Sequence, residues 1–335
     1  MRYKELGNTG LQISAITIGT WGIGGAGWGD ISRSASVDAI RTAIDHGVNA
    51  IDTAPIYGFG NPNLPDFGYG CAEEIIREAI VGQRDRLLLV TKCGLNYNRS
   101  IGPKSLYKRM TRAEIMEGCE GSLRRLGTDY LDLLFVHWPD DTTPLEEVAE
   151  AMQLLKTQGK IRCYGLSNFT QGDTLRADAL LHVGAVQPQY SMVSRSSEAF
   201  MQAVHRRGIG TMTYGSLGAG VLTGVYRTLP QFSPNDTRVT FYDYFKKPKF
   251  SRIQALLKTM DEIAAAHHAT PAQVAINWST QKDFVDTAIL GFSKPSHAVQ
   301  NCAALDWALS SEELACLDRA IALHLEGAEK SEEAQ

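Results

Sequence analysis

The sequence predicts an α/β fold: a single (β/α)8 TIM barrel entered through an N-terminal β-hairpin. Three observations lead there. Strand-like and helix-like stretches alternate eight times, the strand-like ones are apolar almost throughout, and the helices carry their own start and stop signals. Unbroken apolar runs belong to parallel strands buried on both faces. Parallel strands with helical crossovers leave two architectures, an open doubly wound sheet or a closed barrel, and a count of eight favours the barrel.

Residues 2–13 read as a hairpin turning at GNTG, placed to plug the barrel floor. The eight units follow in order. AITIG (15–19) precedes SASVDAIRTAIDHG, VNAID (48–52) precedes CAEEIIREAIVG, and RLLLVTK (86–92) precedes TRAEIMEGCEGSLRRLG. YLDLLFVH (130–137) precedes PLEEVAEAMQLLKTQGK, and IRCYGLSN (161–168) precedes a helix near 171–181. VGAVQPQY (183–190) leads to SSEAFMQAVHRRG, IGTMTY (209–214) to a long loop and two helical stretches, and DTAILG (286–291) to SHAVQNCAALDW. Thr111 and Ser310 read as N-caps, with Glu114 and Glu313 completing capping boxes; Gly47, Gly82, Gly127, Gly159 and Gly208 read as C-terminal stops. The stretch 222–250, rich in Pro, Thr and aromatics, is a loop long enough to be functional or mobile. One domain is expected over 1–335: hairpin 2–13, barrel 15–305, then a C-terminal helix and a fraying charged tail over 310–335.

Composition removes several function classes. The net charge of -4 offers no basic field for nucleic acid and no polybasic patch for a membrane surface. No apolar run approaches the roughly 20 residues of a membrane span, and the N-terminus lacks a signal-peptide core. The six cysteines (71, 93, 119, 163, 302 and 316) are scattered, without a CxxC pair or metal-ligand spacing. They read as reduced thiols of a cytoplasmic protein, and no metal is expected. The oligomeric state does not follow from the sequence.

In such a barrel the reacting groups come from the C-terminal ends of the strands, where the βα loops converge. Strand two ends at Asp52, with Tyr57 a few residues into its loop; strand three ends at Lys92 and strand four at His137. A phenol of pKa near 10 is a poor acid at neutral pH, and a nearby ammonium favours its ionised form. A carboxylate beside that lysine keeps it charged and in place. An imidazole donates a hydrogen bond to a carbonyl oxygen and polarises it. The set suits protonation of an oxygen that becomes an alkoxide, the help that hydride delivery to a carbonyl carbon requires. A lysine ending a barrel strand also suits a Schiff-base aldolase, which keeps Lys92 open to that second use. The run Gly22-x-Gly24-x-x-Gly27 matches a dinucleotide fingerprint, but the next helix starts too late to meet a pyrophosphate, so it reads as a flexible loop.

Across nearly its full length the sequence resembles the aldo-keto reductase family. The matching motifs are GTWGIGG (19–25), IDTAPIYG (51–58), TKCG (91–94), LGTDYLDLLFVHWPD (126–140), GLSNF (165–169), QPQYS (187–191), YGSLGAGVLTG (214–224) and ILGFSKPSHAVQN (289–301). The resemblance implies reduction of small aldehydes or ketones, of methylglyoxal or sugar type, with NADP (NADPH) or alternatively NAD (NADH). It makes Tyr57 the proton donor, Lys92 the group that lowers its pKa, Asp52 the partner of Lys92, and His137 the group orienting the carbonyl. It assigns Ser167, Asn168 and Gln187 to the nicotinamide carboxamide and Tyr214 to its ring, with Gly19, Thr20 and Trp21 also at the cofactor. Gly215, Ser216, Leu217, Gly218, Gly220 and Leu222 would lie over the pyrophosphate; Gly291, Ser293, Lys294, His297 and Asn301 would hold the adenosine end. His297, a weaker phosphate partner than arginine, stands where many relatives carry arginine, which leaves NADPH against NADH open. The loop after Tyr57 is lengthened by NPNLPDFG, and Trp21, Trp28 and Trp138 are the substrate-pocket candidates. A non-catalytic, cofactor-binding regulatory subunit is the remaining alternative.

Overall fold

The computed structural model describes residues 1–29, 31–61 and 63–326. Its chain opens with the antiparallel pair β1 (Tyr3–Glu5) and β2 (Gln12–Ser14), in register Tyr3↔Ser14. Then come β3 (Ile16–Gly19), α1 (Arg33–Asp45), β4 (Ala50–Asp52), α2 (Cys71–Ala79) and β5 (Leu88–Cys93). A second small hairpin, β6 (Leu95–Tyr97) and β7 (Leu106–Lys108), precedes α3 (Arg112–Leu126). The chain continues through β8 (Leu131–Val136), α4 (Leu145–Thr157), β9 (Ile161–Ser167), α5 (Gln171–Leu180), β10 (Ala185–Gln187), α6 (Glu198–His205) and β11 (Gly210–Thr213). After β11 lie α7 (Thr237–Thr240), α8 (Lys249–Ala266) and α9 (Pro271–Thr280), then β12 (Thr287–Gly291), α10 (Pro295–Ala303) and α11 (Ser311–Ile321).

Eight strands close into a parallel barrel in the order β3-β4-β5-β8-β9-β10-β11-β12, with β12 paired back to β3 through Ile289↔Thr17 and Leu290↔Ile18. Each contains only residues of one expected run or one residue beyond it, because strands covered on both faces must be apolar along their length. The closed order decides against the open sheet. Helices pack outside, and their apolar stripes meet the outward side chains of the strands in one large buried cluster.

The barrel interior is filled from below. Leu6, Leu11 and Ile13 of the N-terminal hairpin pack with Ala50, Val90, Leu133, Phe135, Ala185 and Met212. This is the floor plug that the sequence suggested.

The caps divide. Ser310 and Glu313 form the expected capping box, and Thr111 accepts from Glu114 N–H. The reciprocal half at Thr111 is absent, because the Glu114 carboxylate bonds Asn96 and Tyr107 of the β6–β7 hairpin instead. A box at Thr270 and Gln273 caps α9. Gly127 closes α3 at φ 67, a left-handed conformation suited to glycine.

The expectation of an open loop over 222–250 needs correction. The stretch contains α7 and the start of α8, and Tyr242, Tyr244, Phe245 and Phe250 are buried in an aromatic cluster with Tyr190 and Trp278. Apolar burial holds this crossover down. The tail over 327–335 lies outside the described residues.

Candidate active site

Parallel register brings the polar strand ends to one mouth. Asp52 is the last residue of β4, Lys92 lies one residue before the end of β5, and His137 directly follows β8. The Lys92 ammonium donates to both Asp52 carboxylate oxygens at 2.8 Å and to the Thr53 carbonyl at 2.9 Å. Both side chains are almost wholly buried. Asp52 is braced further: the Gln187 amide donates to its carboxylate at 2.7 Å, and the Thr20 hydroxyl to its main-chain carbonyl at 2.9 Å.

Tyr57 enters from the loop after β4. Its N–H donates to Ala54 O at 3.0 Å, and its carbonyl accepts from the Cys71 thiol at 3.4 Å. Next to it the chain crosses the first βα loop so closely that a Cβ at Gly24 would run into the Gly58 backbone. The Gly22–Gly27 run therefore serves loop-to-loop packing, and α1 indeed starts late, at Arg33. Held this way, the Tyr57 ring lies 4.9 Å from Lys92 Nζ and 6.0 Å, edge-on, from the His137 ring. Trp21 stacks over it at 6.2 Å, and Trp28 meets Trp21 edge-on at 5.3 Å. Phe241, from the βα7 crossover, completes the box 5.5 Å from Trp21. Trp138 stands apart from this box, under Lys108 of the β6–β7 hairpin.

The electrostatics add burial to the charges that the sequence argument weighed. Burial pushes the Tyr57 phenol well above its usual 10, and the Asp52 carboxylate pushes the same way. The ammonium beside the ring does not reverse this, since two carboxylate oxygens already face it. Burial likewise raises the Asp52 carboxyl and lowers the Lys92 ammonium, each opposed by attraction to the other. Burial and the Lys92 charge hold the His137 imidazole well below 6.5. At neutral pH the mouth thus holds a protonated phenol and a neutral imidazole, both able to donate a proton or hydrogen bond to an oxygen.

The expected cofactor residues form a second, connected group. Ser167 ends β9 and Gln187 ends β10, directly paired in register. Ser167 hydroxyl donates to Gln187 O at 3.2 Å, and Asn168 amide donates to His137 O at 3.0 Å and Ser167 Oγ at 3.1 Å. Tyr214 hydroxyl donates to Asn168 Oδ1 at 3.2 Å. Gly19, at the end of β3, pairs with Asp52 and Gly291 in the barrel wall. In the loop after β11, Leu222 is fully buried in the aromatic cluster and Ser216 bonds back to Thr213 O, so their side chains serve packing. Gly215, Leu217 and Gly220 remain partly exposed, whereas Gly218 is buried. At the start of α10, Lys294 is exposed, and His297 shares a 3.1 Å hydrogen bond with Ser293. Burial and the neighbouring Lys294 charge lower the His297 imidazole. Asn301 is buried, 3.5 Å from Gly291 O.

Sequence reasoning missed Glu73. It is fully buried in α2, accepts from the Thr91 hydroxyl at 2.7 Å and pairs with Arg125 at 2.6 Å, behind Lys92. Its spacing to Ile76, on the buried face of α2, was the available signal. Among the described residues, no cluster of three or more His, Cys, Asp or Glu could hold a metal, and no helix is long and apolar enough to cross a membrane.

Residues 15–322 match the family model described as the Aldo/keto reductase family. The chain belongs to that family. With it, the protein belongs among the NAD(P)-dependent oxidoreductases. This aldo/keto reductase is 37% identical over 319 residues to aldo-keto reductase YhdN of Bacillus subtilis, covering 93% of this chain and 91% of the relative. It is 30% identical to the NADH-specific methylglyoxal reductase of Escherichia coli, covering 97% and 100%. It is 32% identical to a probable voltage-gated potassium channel subunit beta of Arabidopsis thaliana, covering 91% and 92%. Among solved structures, glycerol dehydrogenase AKR11B4 from Gluconobacter oxydans superposes with TM-score 0.85 at 29% identity, covering 97% and 95%. An aldo/keto reductase from Klebsiella pneumoniae, solved with NADP and acetate, superposes at 0.71 and 32% identity, covering 95% of each chain.

Proposed function

We propose that this reductase converts small aldehydes or ketones, of methylglyoxal or sugar type, to alcohols, with Tyr57 as the proton donor. The observation that carries the reading is the convergence of the Tyr57 ring on Lys92, at 4.9 Å, and on His137, at 6.0 Å, at one mouth. A nicotinamide nucleotide, when bound, would supply hydride to the carbonyl carbon. The donor set fits that group. Ser167, Asn168, Gln187 and Tyr214 lie together at adjoining strand ends, and their mutual hydrogen bonds can be exchanged for those of a carboxamide. Gly291 opens a space where a Cβ would meet nothing within 4 Å, beside Ser293, Lys294 and His297.

His137, neutral, donates to the carbonyl oxygen and draws charge onto it. Tyr57 transfers its proton to that oxygen as negative charge develops there. A phenol held above 10 is fully protonated before the step, as an acid must be. The phenolate left behind faces the Lys92 ammonium, whose attraction stabilises it more than the neutral phenol. Lys92 therefore acts on the product side of the transfer, with Asp52, Thr53 and Gln187 fixing its place.

Both NADPH and NADH serve in this reading. Lys294 is a cation available to a 2′-phosphate, while a neutral His297 adds less than an arginine fork would. The Schiff-base alternative loses support, because Lys92 Nζ is buried and held by three oxygens. The channel-subunit relative keeps a regulatory, cofactor-binding role as the second reading.

The test is turnover of methylglyoxal with NADPH and NADH in parallel, in the wild type and Tyr57→Phe. The variant is expected to lose about 10²- to 10⁴-fold in kcat with cofactor affinity nearly unchanged. Wild-type turnover retained in Tyr57→Phe would sink the assignment. Cofactor binding without turnover of any carbonyl would favour the regulatory role.

A further inference from the structure

The β6–β7 hairpin forms a lip whose charge opposes that of the chain. Residues 95–110 carry Arg99, Lys104, Lys108 and Arg109 and no acidic residue, in a protein of net charge -4. Topology places the lip beside the reacting groups. β6 begins two residues after β5 leaves the barrel at its mouth, and Arg109 N–H returns to Gly94 O at 2.9 Å. The next amide, of Met110, donates at 2.5 Å to Asp140 on the loop that follows His137. Lys108 Nζ lies 4.5 Å from the centre of the Trp138 ring, and Trp138 adjoins His137 in sequence.

The acids around the lip are largely committed elsewhere. Glu114 bonds Asn96 and Tyr107, and Asp140 accepts from Met110, Thr142 and Thr143. Asp66 faces Arg99 at 3.7 Å, and Glu117 of α3 lies within electrostatic reach of Arg99 and Tyr107. Among the described residues, Lys104, Lys108 and Arg109 have no carboxylate partner; Arg109 rests only on the Tyr107 ring, at 5.6 Å.

We propose that this lip selects carbonyl compounds that carry an anionic group, carboxylate or phosphate, and that Lys108 is the specificity-determining residue that reads it. The inference rests on the reductase reading above. An ammonium seated on an indole face is localised by the ring quadrupole while its other side stays open. A substrate anion arriving over Trp138 meets a placed charge instead of a freely moving side chain. The remaining cations of the lip add a field that favours approach of anions.

The experiment compares kcat/KM for two charged and neutral pairs: succinic semialdehyde with its methyl ester, and glyceraldehyde 3-phosphate with glyceraldehyde. The proteins are wild type, Lys108→Met and Lys108→Arg, at low and high salt. In Lys108→Met the charged-to-neutral ratio is expected to fall roughly fivefold, the scale of one exposed ion pair. Lys108→Arg keeps the ratio, and salt lowers it in the wild type. The pair that responds identifies the anion. An unchanged ratio in both pairs, or equal falls for charged and neutral members, overturns the proposal. If no aldehyde is turned over, the reductase reading fails by itself. Quenching of tryptophan fluorescence by succinate and by inorganic phosphate then decides the lip, with equal quenching in wild type and Lys108→Met overturning it.

Discussion

The two ends of the same eight strands are finished in opposite ways. At the floor the hairpin side chains Leu6, Leu11 and Ile13 seal the barrel, and two buried carboxylates there are engaged. Asp132 takes Arg84 and Arg162, each at 2.9 Å, and Leu89 N–H at 2.9 Å; Asp286 takes the N–H groups of Gly7 and Thr211. At the mouth Lys92, Asp52 and, on the loop after His137, Asp140 are also engaged. Tyr57 and His137 stay half-buried, in contact through their rings and without a hydrogen bond from either side chain among the described residues. Buried polar groups are normally paired, so two such side chains left free within reach of each other mark where a ligand oxygen belongs. The floor commits Asp132 and Asp286 to stability, and the mouth keeps Tyr57 and His137 in reserve.

That contrast breaks most directly at Lys92. Lys92→Met leaves the Asp52 carboxylate buried with only the Gln187 amide, an arrangement expected to cost about 3–5 kcal/mol of stability. Turnover should fall with it. The double variant Lys92→Met, Asp52→Leu removes both charges and should recover most of the stability while leaving turnover lost. Denaturant midpoints and kcat/KM of the three proteins separate the two effects. A double variant no more stable than the single one would show that the charges are not coupled.

Leu6→Ala probes the other end. Truncating a fully buried plug residue is expected to cost about 2–5 kcal/mol, read as a lower denaturant midpoint. Activity per folded molecule at 25 °C should be unchanged, because Leu6 packs at Gly210, the end of β11 away from Tyr214. An equal loss of kcat would mean that the floor sets the mouth geometry, and the division of labour would fall.

The contrast also explains what was legible in the sequence. All eight barrel strands could be read because strands buried on both faces leave unbroken apolar runs. Asp52, Lys92 and His137 were legible once the strands were, since the fold turns a strand end into a position at the mouth. The β6–β7 hairpin was not, because strands of three residues at the surface have no period to detect. Glu114 shows the same limit. Its spacing from Thr111 satisfies a capping box, yet the unseen hairpin took its carboxylate. The net direction of the Tyr57 shift was not legible for a further reason. It sums burial against neighbouring charges, and pairing arguments supply only the charges.

The smallest effect sharpens the comparison through pH. Burial pushes the Asp140 carboxyl up, but hydrogen bonds from Thr142, Thr143 and Met110 outweigh it and bring the group down to about 2. A carboxyl depressed in the folded state stabilises above its unfolded value near 3.9, and that contribution is lost as pH falls toward about 2. At the floor, burial raises Asp286, so its share of stability has the opposite sign: present at low pH and lost as pH rises through its folded value. Asp140→Asn should therefore lose stability near neutral pH and show a shallower acid limb between pH 4 and 2 than the wild type, by thermal midpoint. Asp286→Asn should leave the slope in that window no shallower. If both variants flatten the acid limb alike, the two ends do not differ in how they hold charge, and the contrast drawn from their hydrogen bonds fails.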